Sequence, residues 1–129
     1  MPYVTDTHPL VWHFTRNKRL STRVAGIFNT ADIGQEVIYI PAIVLGELMH
    51  ISEAGQVPLN FSATLTKIKS GDNFVTVPLD LSIIEAANEI RPRLEMHDRL
   101  VIATAQILSL PLITFDEMMT SARVVPVVW

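Results

Sequence analysis

The chain has no cysteine among its 129 residues, which excludes disulfide bridges, thiolate metal ligands and a cysteine nucleophile. It also lacks the run of about 18 apolar residues that a membrane-spanning helix needs. The N-terminus has no basic segment and reaches Asp6 and His8 early, so we expect no signal peptide. Together these absences predict a soluble protein of the cytoplasm with no membrane partner.

Charged residues make up only 18% of the chain, whereas hydrophobic residues make up 49%. This balance is typical of a globular protein with a buried core, and it argues against intrinsic disorder. A chain of this length folds most simply as one unit, so we predict a single domain over residues 1–129.

Basic residues are scarce, with 10 lysines and arginines against 13 aspartates and glutamates. The resulting net charge of −3 ordinarily disfavours a nucleic-acid ligand. Four acids described below account for −4 of that charge, so the rest of the chain carries +1. If those acids hold divalent cations, the surface that a polyanion meets is close to neutral. The sign of the net charge therefore excludes no class of ligand.

Short β-branched runs alternate with helical patterns along the chain. This alternation predicts an α/β fold with a mainly parallel sheet, in which ligands bind beyond the carboxyl ends of the strands. Helices are predicted at 8–14, from Ser21, at 41–53, at 61–69, from Ser82 and at 97–108, and a short turn or helix is predicted at 117–121. Strands are predicted at 3–5, 36–40, 74–77, 112–114 and 124–128.

Four carboxylates, Asp6, Glu47, Asp98 and Asp116, stand where apolar segments begin or end, or within them. Asp6 and Asp116 each close a predicted strand, Asp98 opens a helix, and Glu47 lies inside an apolar helix. A carboxylate buried in apolar surroundings must be paired, protonated or bound to a metal. Few basic residues lie near these acids, so we predict one acidic, metal-binding pocket. The alternative is that they are exposed acids favoured by helix dipoles, which fits Asp98 and Asp116 best.

Carboxylates that meet at one edge of a sheet bind Mg²⁺ or Mn²⁺ through hard oxygen atoms. Such ions activate water and stabilise the charge that grows on a phosphate. The pattern therefore favours hydrolysis of phosphodiester bonds, which needs no serine or histidine nucleophile. With no cysteine and no paired histidine spacing, a zinc site has little support.

Four motifs resemble those of small PIN-domain ribonucleases, the type found in VapC-like toxins of type II toxin–antitoxin systems. The match is collinear over nearly the whole chain, and the ending Val125-Pro-Val-Val-Trp129 is also similar. The four motifs are Asp6-Thr-His-Pro-Leu-Val-Trp12, Ile40-Pro-Ala-Ile-Val-Leu-Gly-Glu47-Leu48, Asp98-Arg-Leu-Val-Ile-Ala-Thr-Ala105 and Leu112-Ile-Thr-Phe-Asp116.

The resemblance implies a three-layer α/β/α domain with a central, mainly parallel sheet. It also implies an endoribonuclease that depends on Mg²⁺ or Mn²⁺, cuts RNA such as tRNA or rRNA, and binds a cognate antitoxin. Thr7 and Thr114 would orient a carboxylate or a water molecule. The catalytic and metal-binding roles fall on Asp6, Glu47, Asp98 and Asp116.

Two stretches depart from the family pattern. Ala42 and Gly46 lie where the family usually has a small polar residue and a tryptophan, which leaves room for a catalytically weak module that binds RNA or protein without cutting. Glu95 stands three residues before Asp98, where the family often has an aspartate, and its longer arm could still reach the site. Arg99 adjoins an acid and could pair with it or with RNA.

Two further groups of residues suggest contacts with partners. Basic residues after the first strand–helix unit could meet phosphates, although each could equally belong to a solvated face; they are Arg16, Lys18, Arg19 and Arg23. Large apolar residues could form a face shared in a homodimer or simply the core; they are Trp12, Phe14, Phe28, Phe61 and Met49.

Overall fold

The computed structural model describes every residue from Met1 to Trp129. None of its helices is both long and apolar enough to cross a membrane. The strands are β1 (Tyr3–Thr5), β2 (Ile38–Pro41), β3 (Phe74–Val77), β4 (Leu112–Ile113) and β5 (Val127–Val128). The helices are α1 (Thr7–Thr15), α2 (Thr22–Asp32), α3 (Ala42–Ala54), α4 (Phe61–Ser70), α5 (Leu81–Glu89), α6 (Met96–Leu108) and α7 (Glu117–Ser121).

The five strands form one sheet in the order β3-β2-β1-β4-β5, and every neighbouring pair is parallel. The chain steps across the sheet in one direction from β1 to β3, and in the other direction from β3 to β5. Right-handed crossovers therefore place the connecting helices on opposite faces. The predicted three-layer α/β/α architecture with a parallel sheet is confirmed.

A core of 26 buried hydrophobic residues joins the layers. Trp12 and Phe28, which the sequence suggested for a shared surface, belong to this core and are not available to a second copy. Phe14 and Phe61 pack against it, and Met49 is 45% exposed. Of the five apolar candidates, Met49 alone presents a largely open side chain.

Local signals at most helix ends act as the sequence predicts. The Ser21 hydroxyl accepts from the backbone N–H of Val24 at 3.1 Å and begins α2, and Gly55 ends α3 at a φ of 71°. The predicted cap at Ser82 is wrong. Asp80 caps α5 instead, because its carboxylate accepts from the Ile83 N–H at 3.1 Å.

The direction in which the chain crosses the sheet reverses between β1 and β4, which lie side by side. In open parallel sheets such a reversal leaves a crevice beyond the strand ends, and ligands bind there. Asp6 follows β1 directly, and its backbone N–H donates to the Ile113 carbonyl of β4 at 2.9 Å. The fold thus fixes the first predicted acid at the mouth of this crevice.

Candidate active site

A cleft of about 660 Å³ opens at the crevice between β1 and β4. It brings together all four predicted acids, which come from four different parts of the chain. Thr7 also lines it, whereas Glu95 and Arg99 do not. The lining residues are Asp6, Thr7, His8, Trp12, Arg19, Glu47, Asp98, Phe115 and Asp116.

Asp6 is held through both of its carboxylate oxygens. Its Oδ1 accepts from the Thr7 N–H at 2.8 Å and so begins α1, and its Oδ2 accepts from the Thr114 hydroxyl at 2.7 Å. Burial raises the pKa of the Asp6 carboxyl, while these two hydrogen bonds act in the opposite direction. Both oxygens are therefore held in place before any ligand arrives.

Glu47, on α3, is hydrogen-bonded to Thr7, the residue that also binds Asp6. The Thr7 hydroxyl donates to Glu47 Oε1 at 2.9 Å, across 40 residues of sequence. Thr7 itself is 1% exposed, so this bond is shielded from water. Thr7 thus uses its backbone N–H for one site acid and its hydroxyl for another.

Asp116 approaches from the end of β4. Its N–H donates to the Thr114 hydroxyl at 3.1 Å, and its Oδ1 accepts from the Met119 N–H at 2.9 Å, which begins α7. Its second carboxylate oxygen makes no hydrogen bond in the structure. Asp116 is thus both a helix cap, as the alternative interpretation held, and a wall of the cleft.

Asp98 lies in the first turn of α6 and is half-buried. Burial, and after it the nearby carboxylates of Asp6, Asp116, Glu95 and Glu47, together raise its pKa to about 6. Each cause penalises the charged form. The cleft is therefore a place where another negative charge is costly and a cation is favourable.

No ion pair neutralises the four acids, although His8 and Arg19 also line the cleft. The chain has three ion pairs, which join the N-terminus to Glu36, His13 to Asp32, and His97 to Glu95. None includes Asp6, Glu47, Asp98 or Asp116. The cluster is left without an ion pair, and His8 is the only charged group that lowers the pKa of one member, Asp6.

Glu95 and Arg99 are engaged outside the cleft. The Glu95 carboxylate accepts from the His97 N–H at 3.0 Å at the start of α6 and pairs with the His97 ring at 2.8 Å. Arg99 Nε donates to the Leu94 carbonyl at 3.0 Å. The structure therefore gives both residues local roles around the α5–α6 connection.

The four carboxylates of the cleft suit a hard divalent cation, since their donor atoms are oxygens. No group of three or more histidine, aspartate or glutamate side chains is placed so that it could hold a metal ion unaided. Mg²⁺ commonly uses one or two carboxylates and fills its remaining positions with water. The cleft fits an ion held in that manner.

Phe115 lines the cleft but is absent from the sequence-derived site. It lies beyond the end of β4, where neither strand alternation nor a helical period marks the direction of a side chain. Arg19 was one of several basic residues near the rim, and here it is the one that lines the cleft. His8 lines the cleft as well, and its ring packs against Trp12 with a centroid distance of 5.9 Å.

A larger groove of about 1050 Å³ lies between α2, α4 and the end of α1. It contains His13, which is stacked on Phe28 and paired with Asp32 at 3.1 Å. Burial lowers the pKa of His13. None of the four clustered acids lines this groove, so its size alone does not make it the active site.

The chain resembles solved toxin–antitoxin structures over almost its full length. VapBC2 from Rickettsia felis, bound to a promoter DNA fragment, is 15% identical with a TM-score of 0.75, covering 100% of this chain and 99% of that one. A toxin–antitoxin complex from Klebsiella pneumoniae is 20% identical with a TM-score of 0.68, covering 98% and 96%. VapC20 from Mycobacterium tuberculosis, described as a sarcin–ricin loop cleaving toxin, is 15% identical with a TM-score of 0.65, covering 95% of each chain.

At these identities the structural likeness establishes the fold. No curated protein sequence matches the chain. The family assignment comes from the sequence itself, since residues 3–124 match the PIN domain family. That match includes all four acids of the cleft, and it confirms the resemblance drawn from the motifs. The chain belongs to the PIN domain family.

Proposed function

We propose that the chain is a metal-dependent endoribonuclease that acts as the toxin of a toxin–antitoxin pair. The observation that carries this proposal is the set of four carboxylates around one cleft, none of which has a cationic partner. Such a cluster is unfavourable by itself and becomes favourable when a divalent cation enters. RNA, with its phosphate groups, is the substrate class to which that chemistry applies.

Asp6, Glu47, Asp98 and Asp116 would surround Mg²⁺ or Mn²⁺ here, with one or two of them as direct ligands and the others acting through bound water. When bound, a divalent cation activates a water nucleophile and stabilises the charge that develops at a phosphate. Thr7 and Thr114 keep the carboxylates of Asp6 and Glu47 oriented, so little reorganisation is needed during the reaction.

The proposal also covers the protein partner, the oligomeric state and the cellular location of the chain. Solved toxin–antitoxin complexes share this fold, which supports a cognate antitoxin as partner. A basic side chain of that antitoxin could pair with the four acids, which form no ion pair within the chain. We also propose a single cytoplasmic domain that acts on tRNA or rRNA, and a homodimer as its assembly.

Cleavage of purified tRNA and rRNA tests the activity. Wild type and Asp98→Asn are compared with Mn²⁺, with Mg²⁺ and with EDTA. We expect discrete fragments from the wild type that disappear with EDTA and with the substitution. Intact RNA in every lane, from a protein shown to be folded, would instead indicate a PIN-like module that binds without cutting.

A further inference from the structure

Beside its acids, the cleft has an aromatic side that hydrolysis of a phosphodiester does not require. Trp12 and Phe115 line the cleft, and Trp129 packs against both. These three rings are called here the aromatic shelf. Their centroids are 5.9 Å apart for Trp12 and Phe115, 5.1 Å for Phe115 and Trp129, and 5.8 Å for the two tryptophans. The three rings meet at steep angles and form one cohesive apolar cluster.

Phe115 is the open part of the shelf. Its residue is 59% exposed, whereas Trp12, on which it packs, is 7% exposed. Both neighbours of Phe115 in the chain are fixed, since Thr114 is bound to Asp6 and Asp116 caps α7. The backbone therefore holds an exposed aromatic ring at the rim of the acidic cleft.

A cation lies on the same side of the cleft. The Arg19 guanidinium carbon is 5.9 Å from the centroid of a Trp12 ring, and Arg19 takes part in no ion pair. Its charge thus remains available to a phosphate. The cleft combines an exposed ring, a free guanidinium and an acidic cation site within one set of lining residues.

We infer that the aromatic shelf binds an unpaired nucleobase of the RNA strand, next to the phosphate that the acids face. This inference deepens the proposed RNA cleavage and rests on it. A nucleotide is the ligand that joins a flat aromatic ring to a phosphate in one unit, which matches the shelf beside Arg19 and the acids. Stacking on such a ring is sequence-tolerant, and it needs a base that is free of a duplex.

A base that binds to the shelf must be unpaired, so the RNA at the cut must be a loop, a bulge or a single-stranded stretch. Paired bases in a duplex are stacked on their neighbours and cannot lie on Phe115. A cleft of about 660 Å³ has room for one extruded nucleotide. The ring of Phe115 supplies the contact, and Trp12 and Trp129 hold that ring in place.

Binding of a short single-stranded RNA to the Asp98→Asn protein, in Mg²⁺, tests the inference without cleavage. We expect Phe115→Ala to weaken binding about ten-fold, and Phe115→Leu to weaken it similarly because it keeps bulk but no aromatic face. Phe115→Trp should stay within about three-fold of the parent. Met118→Ala removes an exposed apolar side chain outside the cleft and should change nothing.

The intrinsic fluorescence gives a readout that a structural role of Phe115 would not produce. The chain has two tryptophans, and both belong to the shelf. We expect single-stranded RNA to quench this emission, and an abasic strand of the same length and charge to leave it unchanged. Thermal unfolding of each variant shows whether the fold is intact.

The possible results distinguish a failure of the base site from a failure of the proposed activity. If the wild type cleaves RNA while Phe115→Ala leaves affinity and KM unchanged, or if abasic RNA binds equally well, the shelf is not a base site and the proposed activity stands. If binding depends on Phe115 and no RNA is cut, the shelf is a base site and the proposed activity fails. If the protein neither binds nor cuts RNA, both ideas fail.

Discussion

The Thr114 hydroxyl serves two acids of the cleft at once. It donates to Asp6 at 2.7 Å and accepts from the N–H of Asp116 at 3.1 Å. Because Thr114 is 1% exposed, water cannot replace either bond easily. One threonine side chain therefore fixes the spacing between the acid after β1 and the acid after β4.

Replacing Thr114 by Val removes this hydroxyl with little change in shape. We expect kcat/KM for RNA cleavage to fall about 10- to 100-fold, as is usual when a residue that orients a metal ligand is lost. Thr114→Ser keeps the hydroxyl and should retain most of the activity. Kinetics of both variants check this, and equal rates for Val and Ser would show that the hydroxyl has no role.

Asp98 is expected to reduce the stability of the metal-free protein. Its pKa is raised from 3.8 to about 6, so the folded state binds a proton more tightly than the unfolded state does. This acid therefore destabilises the fold increasingly as pH rises through that window, and the penalty is fully present at neutral pH. Since the side chain is half-exposed, we expect about 1 kcal/mol, less than the full shift would give.

Urea unfolding in EDTA measures this penalty. Asp98→Asn should exceed the wild type in unfolding free energy by about 1 kcal/mol near neutral pH, and the gain should shrink toward about pH 4.5. Glu85→Gln, an exposed acid on α5, serves as the control and should show no such gain. A less stable Asp98→Asn protein would contradict the expected repulsion.

The bounds of a strand or helix could be predicted where the residues of that segment alone determine them. The strand at Tyr3–Thr5, the strand at Phe74–Val77 and the helix at Glu117–Ser121 begin and end where the sequence indicates. The last strand was predicted over 124–128, but only Val127 and Val128 pair, opposite the two residues of β4. Strand length depends on the partner, and a single segment does not contain that information.

The candidate site could likewise be predicted only in part from the sequence. The positions of the four acids at strand ends and helix starts were readable, and the structure brings them together. Arg99 was expected near them because it follows Asp98. Successive residues of a helix point about 100° apart, so neighbours in sequence do not share a face. Side-chain direction was the missing information.

Arg99 is therefore expected to support the connection between α5 and α6. Its guanidinium donates to the carbonyls of Leu94 at 3.0 Å and Ala87 at 3.5 Å. We expect Arg99→Ala to lower the unfolding free energy by about 1.5 kcal/mol without changing kcat/KM of the folded enzyme. Arg19→Ala should do the reverse, weakening RNA binding with little effect on unfolding. Urea titrations and cleavage kinetics on both variants separate the two roles.

In the molecule as a whole, negative charge that no ion pair compensates is concentrated at the carboxyl ends of the strands, where the four acids of the cleft lie. Because a cation that binds only the folded state stabilises it, Mn²⁺ should raise the unfolding free energy by about 2.7 kcal/mol at a concentration 100 times its Kd. Thermal unfolding with and without Mn²⁺ measures this. Asp98→Asn should show a smaller rise, and an identical rise in both proteins would place the ion elsewhere.

The bond between Thr114 and Asp6 spans 108 residues. A ribosome that makes this chain releases Asp6 well before the β4 segment, so a growing chain has the first acid without its support. The pocket assembles only after the β4 segment has left the exit tunnel. The proposed activity would therefore be absent from a nascent chain that has not yet exposed that segment.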